Sequence, residues 1–371
     1  MTEQKKIHLM KPNVGKEELD LVKKVFESGW FVEGTMVREF EQTVADYVGV
    51  KHAIACTSAT TGLELALRAL NIGKGDEVII PDFTHPATAL VVQTVGANPV
   101  LVDVDIHTYN TNVDYIKKAI TKKTKAIMPV SIFGNPLNID PIMDLGKHYG
   151  IPVIEDVACS LGSEYKSRKV GSTADISVFS FHPRKIFTTG DGGLIVTNNQ
   201  KYAELMVSMK KFGSGITSDG KPGFVRWGTN YRMSDILGAV ALGQVRRIKE
   251  IVDDRIEKVR IYNKLLENVD CIRIPEIKSY AKSNYQTYAV YIEKEGIRDK
   301  VIQEMKKRNI QTQIGTYALH TLPVFTDIKI VGNLENSYKL YRNLLALPLH
   351  YDLTIDDQER VVYELRQLLQ E

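Results

Sequence analysis

Short apolar runs alternate with longer amphipathic stretches along the first 245 or so residues of this 371-residue chain. Seven runs have the composition of buried strands, at residues 52–56, 77–81, 99–104, 126–130, 152–156, 176–181 and 194–197. Between the first two, Leu63, Leu67 and Leu70 recur at helical spacing, and Gly73 follows the end of that helix. The pattern predicts an α/β fold with a mostly parallel seven-stranded sheet and helices on both faces.

The pattern changes near residue 245, where a long charged stretch with the periodicity of an amphipathic helix begins. Beyond it, residues 287–292 alternate like a half-exposed strand, and residues 300–308 and 356–369 have helical periodicity. We therefore predict a large α/β domain at residues 1–245 and a small C-terminal α+β domain at residues 246–371. Because no low-complexity linker separates them, we expect the two domains to pack against each other.

Composition excludes several classes of protein. The chain has 48 Lys and Arg against 45 Asp and Glu, scattered along its length, so neither nucleic acid nor an anionic membrane surface is an expected partner. The three cysteines form no CxxC pair and the histidines no HxxxH pair, so we expect no metal site and no disulfide framework. No apolar stretch approaches the length of a membrane span or a signal peptide, and we expect a cytoplasmic protein.

Three segments carry candidate chemistry, each with an ordinary alternative. The strand at 152–156 ends in Glu155 and Asp156, which places a carboxylate where open α/β sheets bind ligands, or else Asp156 caps the next helix. Lys185 lies between apolar strands and the Gly-rich residues 190–193, where its amine can become a nucleophile, although most lysines are solvated. Ser58 precedes a helix whose N-terminus suits a phosphate group, or it is a simple N-cap.

Together these segments match the needs of pyridoxal 5′-phosphate (PLP). Its phosphate suits the helix terminus, its protonated ring nitrogen needs an anionic partner, and its aldehyde needs a lysine amine. The sequence therefore predicts a PLP site containing Ser58, Asp156 and Lys185.

Over essentially its whole length the chain resembles the DegT/StrS family of sugar-nucleotide aminotransferases, which have the fold-type I architecture of PLP-dependent transferases. The resemblance rests on motifs in order and spacing, at residues 28–30, 57–60, 73–78, 102–105, 154–156, 180–185, 188–193 and 230–233. It implies that Lys185 is the Schiff-base lysine and Asp156 the partner of the pyridine nitrogen. It further implies that Ser58, Ala59 and Ser180 bind the cofactor phosphate.

The family resemblance also implies a homodimer with shared active sites. Asn230 matches the asparagine that reaches the phosphate in the neighbouring subunit's site. The implied activity is transfer of an amino group, with glutamate as the expected donor, to a keto carbon of a nucleotide-linked deoxysugar, at C4 more often than C3. Pyridoxamine 5′-phosphate (PMP) is the expected intermediate form of the cofactor.

The chain departs from the family pattern at several positions. His85 stands where an aromatic ring commonly stacks on the cofactor, and a packed turn residue is the equal alternative. Cys159 stands where many members carry Gln, which removes a side-chain hydrogen bond to the cofactor. Tyr317 and His320 lie in a segment expected near the substrate whose sequence differs from the Pro-rich family version. The identity of the sugar therefore cannot be transferred from the resemblance.

Two alternatives compete with the aminotransferase prediction. A PMP-dependent sugar dehydratase shares the fold but replaces the Schiff-base lysine, commonly with His, which Lys185 argues against. A non-catalytic regulatory or binding relative would not need Asp156, Ser180 and Lys185 together. A nicotinamide-dependent oxidoreductase is disfavoured because no GxGxxG follows the first strand.

Overall fold

The computed structural model describes residues 5–370. The helices are α1 (Lys16–Ser28), α2 (Thr35–Val48), α3 (Ala59–Ala69), α4 (Ala87–Thr94), α5 (Val113–Ala119), α6 (Ile139–Tyr149), α7 (Gln200–Met209), α8 (Asp235–Arg246), α9 (Ile248–Leu266), α10 (Arg298–Lys307), α11 (Glu335–Asn343) and α12 (Ile355–Gln370). The strands are β1 (His52–Cys56), β2 (Glu77–Pro81), β3 (Phe83–Thr84), β4 (Asn98–Val102), β5 (Thr124–Ile127), β6 (Ile154–Asp156), β7 (Glu164–Tyr165), β8 (Arg168–Lys169), β9 (Ile176–Ser180), β10 (Gly193–Thr197), β11 (Ser214–Ile216), β12 (Pro222–Phe224), β13 (Ile272–Arg273), β14 (Ala281–Lys282), β15 (Tyr288–Ile292), β16 (Gln313–Ile314), β17 (Tyr317–Ala318), β18 (Lys329–Ile330) and β19 (Leu344–Leu347).

The central sheet has the strand order β1-β10-β9-β6-β5-β2-β4-β18. Two parallel bridges, Ile127 with Val153 and Val130 with Asp156, join β5 to β6. Strand β10 is antiparallel to both of its neighbours, whereas the other pairs are parallel. All seven predicted strands are present, with ends shifted by a few residues, and the short edge strand β18 was not predicted.

Both faces of this sheet are buried. Along β2, Val78 and Ile80 belong to one apolar core and Ile79 to the other, as the alternation of side chains in a strand requires. Helices α3, α4 and α7 cover the first face, and α2, α6 and α8 cover the second. This arrangement explains why the strands are apolar throughout, and it leaves their carboxyl ends as the edge that can accept a ligand.

The C-terminal part has its own core. Strands β13, β15, β19 and β16 form an antiparallel sheet whose apolar residues pack with α9, α10 and α12. Near the N-terminus, Ile7 forms a bridge with Ile310 and joins this core. The predicted domain boundary near residue 245 falls at the end of α8, and the division into two domains stays a prediction.

Two further findings concern the part of the chain from residue 5 to residue 370. None of its helices is both long and apolar enough to cross a membrane. No group of three or more His, Cys, Asp or Glu side chains there is arranged to hold a metal ion.

Candidate active site

Lys185 follows β9 in an irregular segment and is half-buried. Its Nζ lies 3.2 Å from the sulfur of Cys159, and its backbone N–H donates to the carbonyl of His182 at 2.8 Å. Two predicted site residues that are 26 positions apart in the sequence are therefore in direct contact.

Asp156 ends β6 and is buried. Its Oδ2 accepts a hydrogen bond from the Thr88 hydroxyl at 3.0 Å, and its Oδ1 accepts one from the Ala158 N–H at 3.1 Å. Burial raises the pKa of Asp156, while these two donors and the charges of Lys185 and His85 act in the opposite direction. Within the described chain, no helix begins directly after Asp156, so the helix-cap alternative has no support.

Glu155, the other acid of this strand end, has a separate environment. Neighbouring residues of a strand point to opposite faces, and Glu155 Oε1 accepts from the Ser131 hydroxyl at 2.7 Å. Burial raises its pKa to about 7, and the nearby Asp156 charge adds to that shift. The two carboxyl groups are thus held apart in different surroundings.

The start of α3 lies against the start of β10. Ser58 caps the helix, because its hydroxyl accepts from the Thr61 N–H at 3.2 Å. Gly193 is paired with Ser180 across the sheet, and a Cβ on Gly193 would lie 2.3–2.6 Å from backbone atoms of Ser58 and Ala59. Glycine therefore permits the close approach that brings the helix terminus and the Ser180 end of β9 together. This grouping has the donors that bind a phosphate group.

His85 and Tyr317 lie side by side. Strand β17 pairs with β3, and the two rings meet edge to face with centroids 6.5 Å apart. The Nδ1 atom of His85 accepts from the Ala87 N–H at 3.2 Å, which requires that nitrogen to be unprotonated. Partial burial and the charge of Lys185 lower the pKa of His85, which favours the neutral form of its ring.

His320 is held by Asp82. Its Nδ1 lies 2.7 Å from Asp82 Oδ2, and its backbone N–H donates to Asp82 Oδ1 at 2.8 Å. The hydrogen bond to this buried carboxyl raises the pKa of His320. His320 is therefore fixed in orientation and more basic than a free imidazole.

Asn230 is exposed, and its Oδ1 accepts from Arg232 Nε at 3.1 Å. The carbonyl of the next residue, Tyr231, accepts from the Thr57 N–H at 3.1 Å. The segment that carries Asn230 thus lies next to the start of α3, within a single protomer.

Three contributors to this site were not identified from the sequence. Thr88 and Asp82 act on predicted site residues from other elements, and the close approach allowed by Gly193 depends on the sheet register. For Gly193, the indication that the sequence offers is its place in the Gly-rich segment 190–193. Thr and Asp at such positions have no distinctive local pattern.

The residues present fit PLP. Among the described residues, Asp156 has no salt-bridge partner. A buried carboxylate is stabilised by a cation beside it, and the protonated ring nitrogen of PLP would provide one. The helix start at Ser58 and Ala59, with Ser180, would hold the phosphate. Lys185 would supply the amine that bonds to the aldehyde.

Comparisons with known proteins identify the family of the chain. The DegT/DnrJ/EryC1/StrS aminotransferase family model matches residues 12–366. The chain is 36% identical over 374 aligned residues to GDP-perosamine synthase of Caulobacter vibrioides, covering 100% of both chains. The aminotransferase TlmJ of Streptoalloteichus hindustanus superimposes with a TM-score of 0.93 at 29% identity and 99% coverage of both chains. Spr1654 of Streptococcus pneumoniae, solved in PLP and PMP forms, superimposes at 27% identity with a TM-score of 0.92, and the PLP form covers 99% of both chains. The chain therefore belongs to the DegT/DnrJ/EryC1/StrS aminotransferase family and is a PLP-dependent enzyme.

Proposed function

We propose that this enzyme transfers an amino group from glutamate to C4 of a nucleotide-linked ketodeoxysugar. The observation that carries the proposal is the full-length likeness, at 36% identity, to a GDP-perosamine synthase. Glutamate is the donor that the family resemblance implies, and C4 is proposed because amination at C4 is more frequent in the family than amination at C3. A cytoplasmic location stays a prediction.

The side chains of the site have separable tasks in this proposal. When bound, PLP supplies an electrophilic aldehyde and a ring that delocalises the electron pair left on the donor α-carbon. Asp156 would keep the ring nitrogen protonated. In the first half of the reaction, Lys185 Nζ would accept the proton from the donor α-carbon as general base and donate it to the cofactor C4′ as general acid. In the second half it would carry out the same two transfers in reverse on the ketosugar. Tyr317 and His320 would contact the sugar, and His85 would stack on the cofactor ring.

Glutamate labelled with ¹⁵N tests this function. The holoenzyme is incubated with the labelled donor and with UDP-, dTDP- and GDP-linked 4-keto and 3-keto deoxysugars, and products are identified by mass spectrometry and NMR. We expect ¹⁵N at C4 of one class of nucleotide sugar together with formation of 2-oxoglutarate. A product that has lost water and contains no ¹⁵N would favour a sugar dehydratase, and absence of both product and cofactor uptake would favour a binding protein.

We also propose that the enzyme is a homodimer whose sites are shared. Large apolar side chains that are exposed in one protomer support an interface here, including those of Trp30, Phe31, Phe224 and Trp227. Asn230 is exposed in the same segment as Trp227, and by the family resemblance it would reach the partner's cofactor phosphate.

Mixing two inactive variants tests the shared site. A heterodimer of Lys185→Ala and Asn230→Ala subunits would place both lesions in one pocket and leave the other intact. We therefore expect mixing to restore activity that neither variant has alone. No restoration, despite verified subunit exchange and a severely impaired Asn230→Ala enzyme, would show that Asn230 acts within its own chain.

A further inference from the structure

Residues 283–287, between β14 and β15, form a largely buried loop that lies against two segments of the candidate active site. The loop carries two buried amide side chains, those of Asn284 and Gln286. Both amides donate hydrogen bonds to backbone carbonyls of other segments. Hydrogen bonds of this kind fix the course of the main chain that they reach, so the loop can influence the site without supplying a side chain to it.

Gln286 holds the peptide unit next to Lys185. Its Nε2 donates to the Arg184 carbonyl at 2.8 Å, and that carbonyl belongs to the peptide bond between Arg184 and Lys185. The N–H of the same peptide unit donates to the His182 carbonyl at 2.8 Å. Because a peptide unit is planar, hydrogen bonds at both its oxygen and its nitrogen fix its orientation. They thereby constrain the direction in which the Lys185 side chain leaves the main chain.

Asn284 holds the segment that follows Asp156. Its Nδ2 donates to the Cys159 carbonyl at 2.9 Å and to the Leu161 carbonyl at 2.8 Å. The approach of Asn284 depends on Gly134, because a Cβ at that position would overlap with Asn284 Oδ1. One loop is therefore bonded to the segment that carries Asp156 and to the segment that carries Lys185.

The loop is itself held from the C-terminal core by Arg255, which lies on α9 and is buried. The guanidinium donates to the carbonyls of Tyr285 and Gln286 at 2.8 Å each, and to the Leu349 carbonyl at 3.2 Å. Across residues 5–370, its hydrogen-bond acceptors are backbone carbonyls and not carboxylates. Burying a cation is costly, and these hydrogen bonds offset that cost only while the loop keeps its conformation. Arg255 therefore stabilises the loop in the conformation that reaches the site.

We propose that Gln286 is a positioning residue for Lys185, and that the loop 283–287 fixes the two cofactor-binding segments relative to each other. Gln286 acts on Lys185 through the main chain. Its loss should hinder the bond between Lys185 and PLP while leaving the contact of Asp156 with the cofactor ring unchanged. The inference rests on Lys185 as the lysine that bonds to PLP, which is part of the proposed function, and does not depend on the identity of the sugar.

A comparison of PLP with PMP tests the proposal. Both forms have the phosphate and the ring nitrogen, but only the PLP aldehyde can bond to Lys185. The full-length protein is freed of cofactor and titrated with each form, and absorbance follows formation of the bond to PLP. Gln286→Met keeps the length of the side chain and removes its N–H donor. We expect this variant to bind PLP about tenfold more weakly, with slower bond formation, and to bind PMP with unchanged affinity.

Gln358→Met is the matched control. Gln358 is also buried, and its Nε2 donates to the Lys258 carbonyl at 2.7 Å, between α12 and α9. The control loses the same kind of hydrogen bond away from the site and should bind both cofactor forms normally. Asn284→Asp is a second variant, because a carboxylate cannot donate to the carbonyls of Cys159 and Leu161. We expect it to weaken PLP and PMP binding alike, and melting temperatures verify that each variant is folded.

The outcomes separate a positioning role from a general structural one. Equal PLP affinity in Gln286→Met and the Gln358→Met control would overturn the proposal, and so would an equal loss of PLP and PMP affinity in Gln286→Met. Unchanged PMP affinity in Asn284→Asp would contradict the role of the loop. If borohydride reduction labels a lysine other than Lys185, the assignment of Lys185 and this inference are both wrong. An enzyme that bonds PLP at Lys185 but transfers no nitrogen would overturn only the proposed amino transfer.

Discussion

Asp156 shows how a single buried carboxylate can be prepared for a cationic partner. Burial alone raises its pKa, because a charge is costly away from water. Two hydrogen bonds, from Thr88 and from the Ala158 backbone, partly offset that cost and fix the orientation of the carboxylate. A cation beside the carboxylate favours its charged form, and a protonated PLP ring nitrogen would be such a cation.

Thr88 is therefore expected to influence cofactor binding without touching the reacting atoms. Thr88→Val removes the donor to Asp156 Oδ2 and keeps the side-chain volume, so we expect PLP retention to weaken by about 1–3 kcal/mol. Equilibrium dialysis followed by absorbance of the bound cofactor measures this effect. Thr88→Ser keeps the hydroxyl and should behave like the unmodified enzyme, and equal retention in the Val and Ser variants would refute this role.

At the residue scale, the sequence predicted the groups with unusual local context and missed those that act through another residue. Asp156 ends an apolar strand and Lys185 follows one, and the two were identified in combination with Ser58 and the family motifs. The contacts of Thr88 with Asp156 and of Asp82 with His320 join residues 68 and 238 positions apart. Such pairs depend on tertiary packing, which local patterns do not contain.

At the element scale, long strands were predictable and two-residue strands were not. The seven core strands are apolar because both faces of the sheet are covered, so composition alone indicates them. Strands β17 and β18 have two residues each and show no periodicity, although β17 places Tyr317 next to His85. Their position is determined by pairing with β3 and β4.

The junction of β10 with α3 gives a prediction at this scale. Gly193→Ala would place a Cβ against backbone atoms of Ser58 and Ala59, which cannot move as a flexible side chain could. We expect a loss of about 1–3 kcal/mol in the free energy of unfolding, together with weaker PLP binding.

Denaturant unfolding and cofactor titration measure both effects. Gly73→Ala is the control, because the nearest atom to its new Cβ, the Val95 carbonyl oxygen, is 3.6 Å away. A Gly193→Ala enzyme as stable as this control would mean that the helix start is not tightly held against β10.

At the scale of the whole molecule, a buried histidine makes stability depend on pH. His350 is buried beside the C-terminal core, and both of its ring nitrogens lack hydrogen-bond partners within the described residues. Burial lowers its pKa to about 4, with Lys11 and Arg255 acting in the same direction and Asp352 and Asp357 opposing them.

The unfolded chain then binds more protons than the folded protein between the ordinary histidine pKa of 6.5 and about 4. The contribution of His350 to the free energy of unfolding is complete above pH 6.5 and is lost as the pH falls through this window. The loss amounts to at most about 3 kcal/mol. Denaturant unfolding of the unmodified enzyme and of His350→Leu at several pH values checks this. The variant should lose less stability between pH 7 and pH 4, and identical pH profiles would contradict the assignment.

The central claim is that Lys185 is the amine that bonds to PLP. The most direct measurement is borohydride reduction of the holoenzyme, followed by proteolysis and mass spectrometry of the labelled peptides. We predict one cofactor-labelled peptide containing Lys185, and no reducible linkage in a folded Lys185→Ala enzyme. Labelling of another lysine in the unmodified enzyme, or a linkage that persists with normal turnover in Lys185→Ala, would contradict the account.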